Sequence, residues 1–133
     1  MRVGIVGSRR YENKRKIQEM IFNLKRKFGD DLTIVSGGSQ HGADKYARKF
    51  ALELDCTYLE FNPAHTQRNL YSAMRASYYD KDYHPKYFFQ RNTMLAGFVD
   101  YLIAFVPYNT PSPGSEHTLK EARKKGKKVI IIS

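Results

Sequence analysis

The chain is poor in cysteine and has no tryptophan. Cys56 is the only cysteine among 133 residues, so neither a disulfide framework nor a cysteine metal centre can form within one chain. His41 and His117 do not stand at zinc-binding spacing from Asp44 and Glu121, so we expect no metal site, and no cofactor is indicated. Cys56 itself is expected to be a small buried residue.

Long apolar runs are also missing. The longest, residues 102–106 and 129–132, are far shorter than the roughly 20 residues that a membrane span needs. The sequence enters a strand-like run directly after Met1, which leaves no room for a signal peptide. These features favour a cytoplasmic protein with no membrane partner.

Acidic residues are few compared with basic ones. The 23 Lys and Arg against 13 Asp and Glu give a net charge of +10. Such an excess favours anionic partners, and nucleotides, nucleic acids and other polyanions all qualify. Much of it lies in helix-like segments, at residues 14–16, 25–27 and 123–128, where basic side chains are often simply a solvated face.

Short apolar runs alternate with amphipathic segments along most of the chain. The periodicity predicts strands at residues 3–6, 32–35, 57–61, 101–106 and 128–132, and helices at 14–28, 43–54, 86–97 and 118–125. This order predicts a single α/β, Rossmann-like domain over residues 1–133, with a mainly parallel sheet in the order 3-2-1-4-5 and helices on both faces. A ligand crevice is expected where the order reverses, between the first and fourth strands.

Three turns have the composition of anion-binding loops. Residues 4–10 and 36–44 follow the first and second strands, and residues 113–118 come shortly after the fourth. Because such turns lie at one edge of a parallel sheet, their N–H groups and helix dipoles are expected to pool around one phosphate. In the first turn, Ser8 is expected to cap the coming helix, and an arginine, Arg9 or Arg10, is expected to grip a phosphate.

Residues 63–90 are rich in tyrosine and phenylalanine and only weakly periodic. A structureless loop of this length is uncommon, so a helix is expected at about residues 67–79. The segment leaves the crevice side of the sheet, which leaves three roles open: a subunit interface, favoured because such surfaces are rich in tyrosine, a lid, or a stacking surface for bases.

Three motifs resemble a known group of proteins. Residues 36–44 look like the glycine-rich segment of DNA-processing protein A and of the YspA/cpYpsA-related proteins of the SLOG superfamily, and residues 91–105 are similar to their Arg-Asn-x-x-Met and strand segment. Residues 113–121 look like the Pro-Gly-Gly-x-Gly-Thr-x-x-Glu motif of the LOG phosphoribohydrolases. The resemblance covers nearly the whole chain except the aromatic insertion at about 63–90. It implies a Rossmann-like fold and assembly as dimers or higher oligomers.

The resemblance also implies roles for single residues. Glu121 matches the catalytic glutamate of the LOG family and Arg91 lies near its catalytic arginine, whereas Ser115 and His117 replace two of its phosphate-wrapping glycines. Thr118 suits a helix cap with Glu121 as its capping-box partner, which is the alternative to catalysis for that glutamate. Together with the turns, these comparisons give as candidate ligand contacts Gly7, Ser8, Arg9, Gly37, Gly38, Ser39, Asp44, Asn92, Gly114, Ser115, His117 and Thr118.

Three functions follow as hypotheses. The first is binding of a nucleotide or nucleotide-derived phosphate compound at the carboxyl edge of the sheet, as a sensor, carrier or scavenger. The second is a phosphoribohydrolase that cleaves a nucleoside 5′-monophosphate, with Glu121 and Arg91 as the working pair. The third is single-stranded nucleic-acid binding, suggested by the charge, the aromatic segment and the likeness to DNA-processing protein A.

Overall fold

The computed structural model describes all 133 residues. Its strands are β1 (Arg2–Gly7), β2 (Thr33–Ser36), β3 (Thr57–Glu60), β4 (Tyr101–Phe105) and β5 (Lys128–Ile132). Its α-helices are α1 (Lys14–Phe28), α2 (Gly42–Glu53), α3 (Lys86–Phe98) and α4 (Pro113–Lys124). None of the helices combines the length and the apolar character that a membrane crossing demands.

The sheet has the predicted topology. All its strand pairs are parallel and the order is β3-β2-β1-β4-β5, which confirms a Rossmann-like α/β fold. β1 pairs with β4 from Val3 opposite Tyr101 to Gly7 opposite Phe105, so these two strands end level with each other. The crevice at the reversal point therefore opens between the loops that follow β1 and β4.

Each face of the sheet is covered by two helices. Ile17 and Ile21 of α1 pack with Phe50 of α2 in one core cluster, while Leu95 of α3 and Leu119 of α4 belong to the other. The apolar positions of α1 recur at helical spacing, Asn13 caps its first turn, and Gly29 ends it with a φ of 58°. Cys56 is buried, as expected.

The helix expected at residues 67–79 is wrong. This stretch forms turns and one 3-10 turn, Ala76–Tyr78, and it folds back along β3 through bonds from Glu60 N–H to the Tyr71 carbonyl and from Ala73 N–H to the Glu60 carbonyl. The side chains of Asn69 and Ser72 accept backbone N–H bonds within the stretch. Such local bonds satisfy the backbone without a helix.

Helix α4 begins earlier than the periodicity predicts. It starts at Pro113, not at Thr118, because proline fits the first helical position, where no N–H is needed. Thr118 is therefore inside the helix and its hydroxyl donates to the Gly114 carbonyl (3.0 Å). The predicted Thr118–Glu121 capping box is wrong.

Candidate functional site

The loops after β1, β2 and β4 meet around one cavity of about 640 Å³ at the carboxyl edge of the sheet. Most of the predicted site residues line it, namely Gly7, Ser8, Arg9, Gly37, Ser39, Asp44, Arg91, Asn92, Gly114, Ser115 and Thr118. Gly38 lines a neighbouring cavity instead, and His117 and Glu121 line neither. The three turns thus converge in space although they are far apart in sequence.

The loop after β1 is held against β4 and α2. Ser8 N–H donates to the Phe105 carbonyl (3.0 Å), and the Ser8 carbonyl accepts N–H bonds from Tyr11 and Ala43. The Ser8 hydroxyl accepts the N–H of Arg10 (3.0 Å). Ser8 therefore stabilises a turn and does not cap α1, which begins six residues later at Lys14 and is capped by Asn13.

Gly42 allows the loops after β1 and β2 to touch. Its φ is 63°, and a Cβ at this position would overlap the Ser8 carbonyl oxygen and the backbone of Arg9. Only glycine meets both demands without strain. In the sequence, Gly42 is only one residue of a glycine-rich motif, with nothing to mark it as a site residue, yet it sets the separation of two of the three loops.

Asp44 is a buried carboxylate at the first turn of α2. Its Oδ2 accepts the N–H of Ser39 (3.1 Å), which fixes the loop after β2. Burial raises its pKa to about 6, although nearby Arg91 and the Ser39 bond act in the opposite direction. Asp44 is the only carboxylate among the residues that line the cavity.

Arg91 reaches from α3 into the cavity, and two of its three guanidinium nitrogens are hydrogen-bonded to the protein. Its Nε donates to Asn92 Oδ1 (2.8 Å), and its Nη1 donates to the carbonyls of Gly37 and Phe61. Burial lowers the pKa of the Arg91 guanidinium, and Asp44 partly offsets this. Because Nη2 makes no hydrogen bond with the protein, its two N–H groups remain for an anion.

Asn92 connects Arg91 to the start of α4. Its amide nitrogen donates to the Gly114 carbonyl (3.4 Å) and to His117 Nδ1 (3.2 Å), while its oxygen accepts from Arg91. An amide nitrogen has two hydrogens, so Asn92 has no donor left for a ligand. These contacts give Asn92 a role in joining α3 to the start of α4, and its expected contact with the ligand stays a prediction.

The first turn of α4 supplies backbone donors. The N–H groups of Gly114 and Ser115, together with those of Arg9 and Gly37, make no hydrogen bond within the protein, and all four residues line the cavity. The Ser112 hydroxyl donates to the Ser115 hydroxyl (2.8 Å), which leaves the Ser115 proton for another acceptor. Free N–H groups at a helix N-terminus favour an anion.

Glu121 lies outside the cavity, at the contact between α4 and α3. Its Oε1 accepts the Thr93 hydroxyl (2.7 Å) and stands 3.8 Å from His117 Nε2, and Lys124 is 3.6 Å from its Oε2. The Thr93 hydrogen bond lowers the pKa of Glu121. These contacts give Glu121 a structural role between α3 and α4. A catalytic role for Glu121 stays a prediction.

Several lining residues were not identified from the sequence. Phe88 and Phe89 stand in the first turn of α3, three and two residues before Arg91, and the lining also includes Pro85, Pro111 and Pro113. Arg10, the other arginine of the first turn, lines the cavity as Arg9 does. The aromatic pair was visible in the sequence only as part of the segment 63–90. The spacing of three residues from Phe88 to Arg91, which puts both on one face of a helix, was the signal that could have placed Phe88 at the site.

Fold and cavity together define a Rossmann-like α/β domain with a polar, arginine-bearing crevice at the carboxyl edge of its sheet. The structure is similar to the molybdenum cofactor carrier protein of Chlamydomonas reinhardtii, with a TM-score of 0.66 and 17% identity over 98% of this chain and 74% of that chain. It is also similar to the molybdenum cofactor binding protein of the phototrophic bacterium Rippkaea orientalis, with a TM-score of 0.70 and 19% identity, at 98% and 74% coverage.

The comparisons at the level of sequence give no family. No protein-family model matches the chain, and no curated protein matches it. At identities of 17% and 19%, the similarity to the solved structures shows the fold alone. What the crevice binds must be argued from its own residues.

Proposed function

We propose that this protein binds a nucleotide or a nucleotide-derived phosphate compound in the 640 Å³ crevice. The observation that carries the proposal is the meeting of four unpaired backbone N–H groups with three arginines, Arg9, Arg10 and Arg91, around one cavity. Only Asp44 opposes them, and its raised pKa reduces its charge near neutral pH only slightly. The cavity therefore favours an anion.

The form of the donors favours phosphate over a simple carboxylate. Backbone N–H groups from separate loops can surround a tetrahedral anion, and the free Nη2 edge of Arg91 can donate two further bonds. Ser115 adds a hydroxyl at the helix terminus. A phosphate offers three or more oxygens, and each of them can accept more than one of these hydrogen bonds.

The apolar part of the lining supports a ligand larger than phosphate. Phe88, Phe89 and Pro85 form one wall of the cavity, and an aromatic side chain offers a nucleobase a face on which to stack. A volume of about 640 Å³ also lies within the range of small-molecule sites. These features support a compound that joins a flat apolar group to phosphate.

The structural neighbours are consistent with a carrier or sensor. Those proteins are described as carriers and binders of the molybdenum cofactor, so the same fold is used elsewhere to hold a small molecule. We include that cofactor among the candidate ligands. Membership of the SLOG superfamily is likewise our proposal, supported by the glycine-rich motif and the shared fold, and so is assembly into an oligomer.

The test is a ligand panel read by thermal shift and then by calorimetry. The panel contains inorganic phosphate, nucleoside mono- and diphosphates, cyclic nucleotides, NAD, ADP-ribose and molybdenum cofactor, and native mass spectrometry of the purified protein looks for a bound compound. We expect stabilisation by at least one nucleotide-derived compound and little by phosphate alone. No stabilisation by any member would contradict the proposal.

Arg9 offers a variant that should spare the fold. Its side chain is exposed and makes no hydrogen bond within the protein, so Arg9→Ala removes a charge from the crevice without leaving a buried partner. Losing a charge-assisted bond of about 1.5–3 kcal/mol weakens binding by roughly 10- to 100-fold. Arg123→Ala is the matched control, since it removes the same charge from an exposed position of α4 outside the crevice, and it should leave affinity unchanged.

A further inference from the structure

A second cavity adjoins the crevice. It has a volume of about 620 Å³ and lies between the loop after β2 and the segment that follows β3. The two cavities share five lining residues, namely Arg9, Gly37, Ser39, Phe88 and Arg91. They are therefore two lobes of one crevice, which we call the first lobe (about 640 Å³) and the second lobe (about 620 Å³).

Two arginines stand where the lobes join. Arg9 and Arg91 line both lobes. Burial, together with repulsion from the Arg9 charge, lowers the pKa of the Arg91 guanidinium. Arg91 is fixed by its bonds to Gly37, Phe61 and Asn92 and keeps Nη2 free. A pyrophosphate that passes from one lobe to the other would be met by both guanidinium groups, and its two charges would relieve their repulsion.

The two lobes differ in chemistry. The first has an apolar wall of phenylalanine and proline, whereas the second has Phe88 as its one large apolar side chain among polar residues such as Gln40, His41, Gln67 and Arg68. Amide, imidazole and guanidinium groups suit hydroxyls and other hydrogen-bonding groups. The second lobe therefore fits a polar group such as a sugar better than a second base.

Part of the second lobe is held rigidly. Asn62 and Asn69 line it, and both donate to Oε1 of the fully buried Glu60 (3.2 and 2.8 Å), whose Oε2 accepts the Tyr58 hydroxyl (2.7 Å). The Asn62 oxygen in turn accepts the Ser72 hydroxyl (2.9 Å). A satisfied buried network of this kind fixes the shape of the lobe before a ligand arrives.

We infer that the ligand is a nucleoside diphosphate that carries a second polar group, such as a nucleoside diphosphate sugar. This inference rests on the proposed function and extends it from the first lobe to both. The base lies in the first lobe against Phe88 and Phe89, and the sugar lies in the second lobe. The pyrophosphate extends from the free N–H groups of the first lobe to the guanidinium groups of Arg9 and Arg91. The contacts of the second lobe are then specific for the group beyond the pyrophosphate.

The test compares matched ligands by calorimetry. ADP, GDP and UDP are each measured beside ADP-ribose, GDP-mannose and UDP-glucose. For the preferred base, we expect the sugar-bearing compound to bind at least about tenfold more tightly than the diphosphate. Equal or weaker binding of the sugar-bearing compound would overturn the inference and leave the proposed function standing. No binding by any of the six would also overturn the inference, and the wider ligand panel then decides the proposed function separately.

The variant Arg68→Ala tests the second lobe independently of the first. Arg68 is exposed and lines the second lobe only, so we expect this variant to weaken the sugar-bearing compound about tenfold and to leave the diphosphate unchanged. Arg75→Ala is the matched control, since Arg75 is exposed in the same segment and lines neither lobe. If Arg68→Ala weakens both ligands equally, or neither, the assignment of the sugar to the second lobe is refuted.

Discussion

The buried carboxylate of Asp44 gives the most direct test of the site's electrostatics. Its pKa rises from the ordinary value of 3.8 to about 6 in the folded protein, chiefly because burial penalises the charged form. Each pKa unit corresponds to about 1.36 kcal/mol, so keeping Asp44 ionised costs the folded state about 3 kcal/mol relative to the unfolded chain. We therefore predict that Asp44→Asn stabilises the protein at neutral pH.

The sign of the pH dependence follows from the same shift. Between about pH 4 and pH 6 the folded protein holds a proton on Asp44 that the unfolded chain has lost, so stability falls as pH rises through this window and is level above it. Asparagine keeps an oxygen that can accept the Ser39 N–H. The variant should match the wild type near pH 4 and exceed it by about 3 kcal/mol above pH 7.

Urea unfolding measured from pH 4 to pH 8 provides the assay. The difference between Asp44→Asn and wild type isolates this carboxylate from the other titrating groups. Asp82→Asn is the control, because Asp82 is exposed and the same change of charge there should give a small difference at every pH. A stability gain for Asp44→Asn that does not depend on pH, or a loss above pH 7, would refute the reasoning.

Two further predictions concern backbone geometry and catalysis. Gly42→Ala should lower the melting temperature much more than Gly29→Ala. Both positions have a positive φ (63° and 58°), but only at Gly42 does a Cβ meet the backbone of another loop. Equal losses of melting temperature would show that the contact between the loops is unimportant. Glu121→Gln should bind nucleotides as the wild type does, because Glu121 does not line the cavity. Release of the base from AMP should not exceed background in either protein. Base release by the wild type alone would favour the phosphoribohydrolase.

Much of the fold could be predicted because the three central strands, β1, β2 and β4, are short apolar runs that are almost wholly buried. β5 and α1 have the predicted bounds, and the ends of the other strands and of helices α2 and α3 differ from the predicted ones by at most one residue. Alternation of strand and helix then leaves few topologies, since crossovers between parallel strands are right-handed. Periodicity fails where side chains bond locally, as at Asn69 and Ser72, which is why the helix at 67–79 was wrong.

The site was predictable only at the level of loops. Parallel strands end at one edge, so the three turns had to lie near each other whatever their detailed shapes. Which side chains enter the cavity depends on helix phase and loop conformation: His117 points from α4 to Asn92 and packs edge-on against Phe89. The wrong start of α4 hid this, because a helix that begins at Pro113 places residue 117 in its second turn.

The net charge of the chain does not choose between a nucleotide and a nucleic acid as the partner. The salt dependence of the affinity distinguishes binding of a nucleotide in the crevice from binding of an oligonucleotide over the basic surface. The crevice has three arginines, and we expect a nucleotide to contact about two of them. With a slope of about −0.7 per phosphate contact, as for single strands, its affinity should fall by less than about tenfold between 50 and 200 mM salt. An oligonucleotide must spread over the exposed basic helices, and six or more phosphate contacts would cost a loss of some hundredfold. We expect the shallow dependence with nucleotides and weak binding of oligonucleotides at 200 mM. Tight oligonucleotide binding with a steep slope, weakened when Tyr78 or Phe88 is truncated, would instead identify the aromatic segment as a stacking surface.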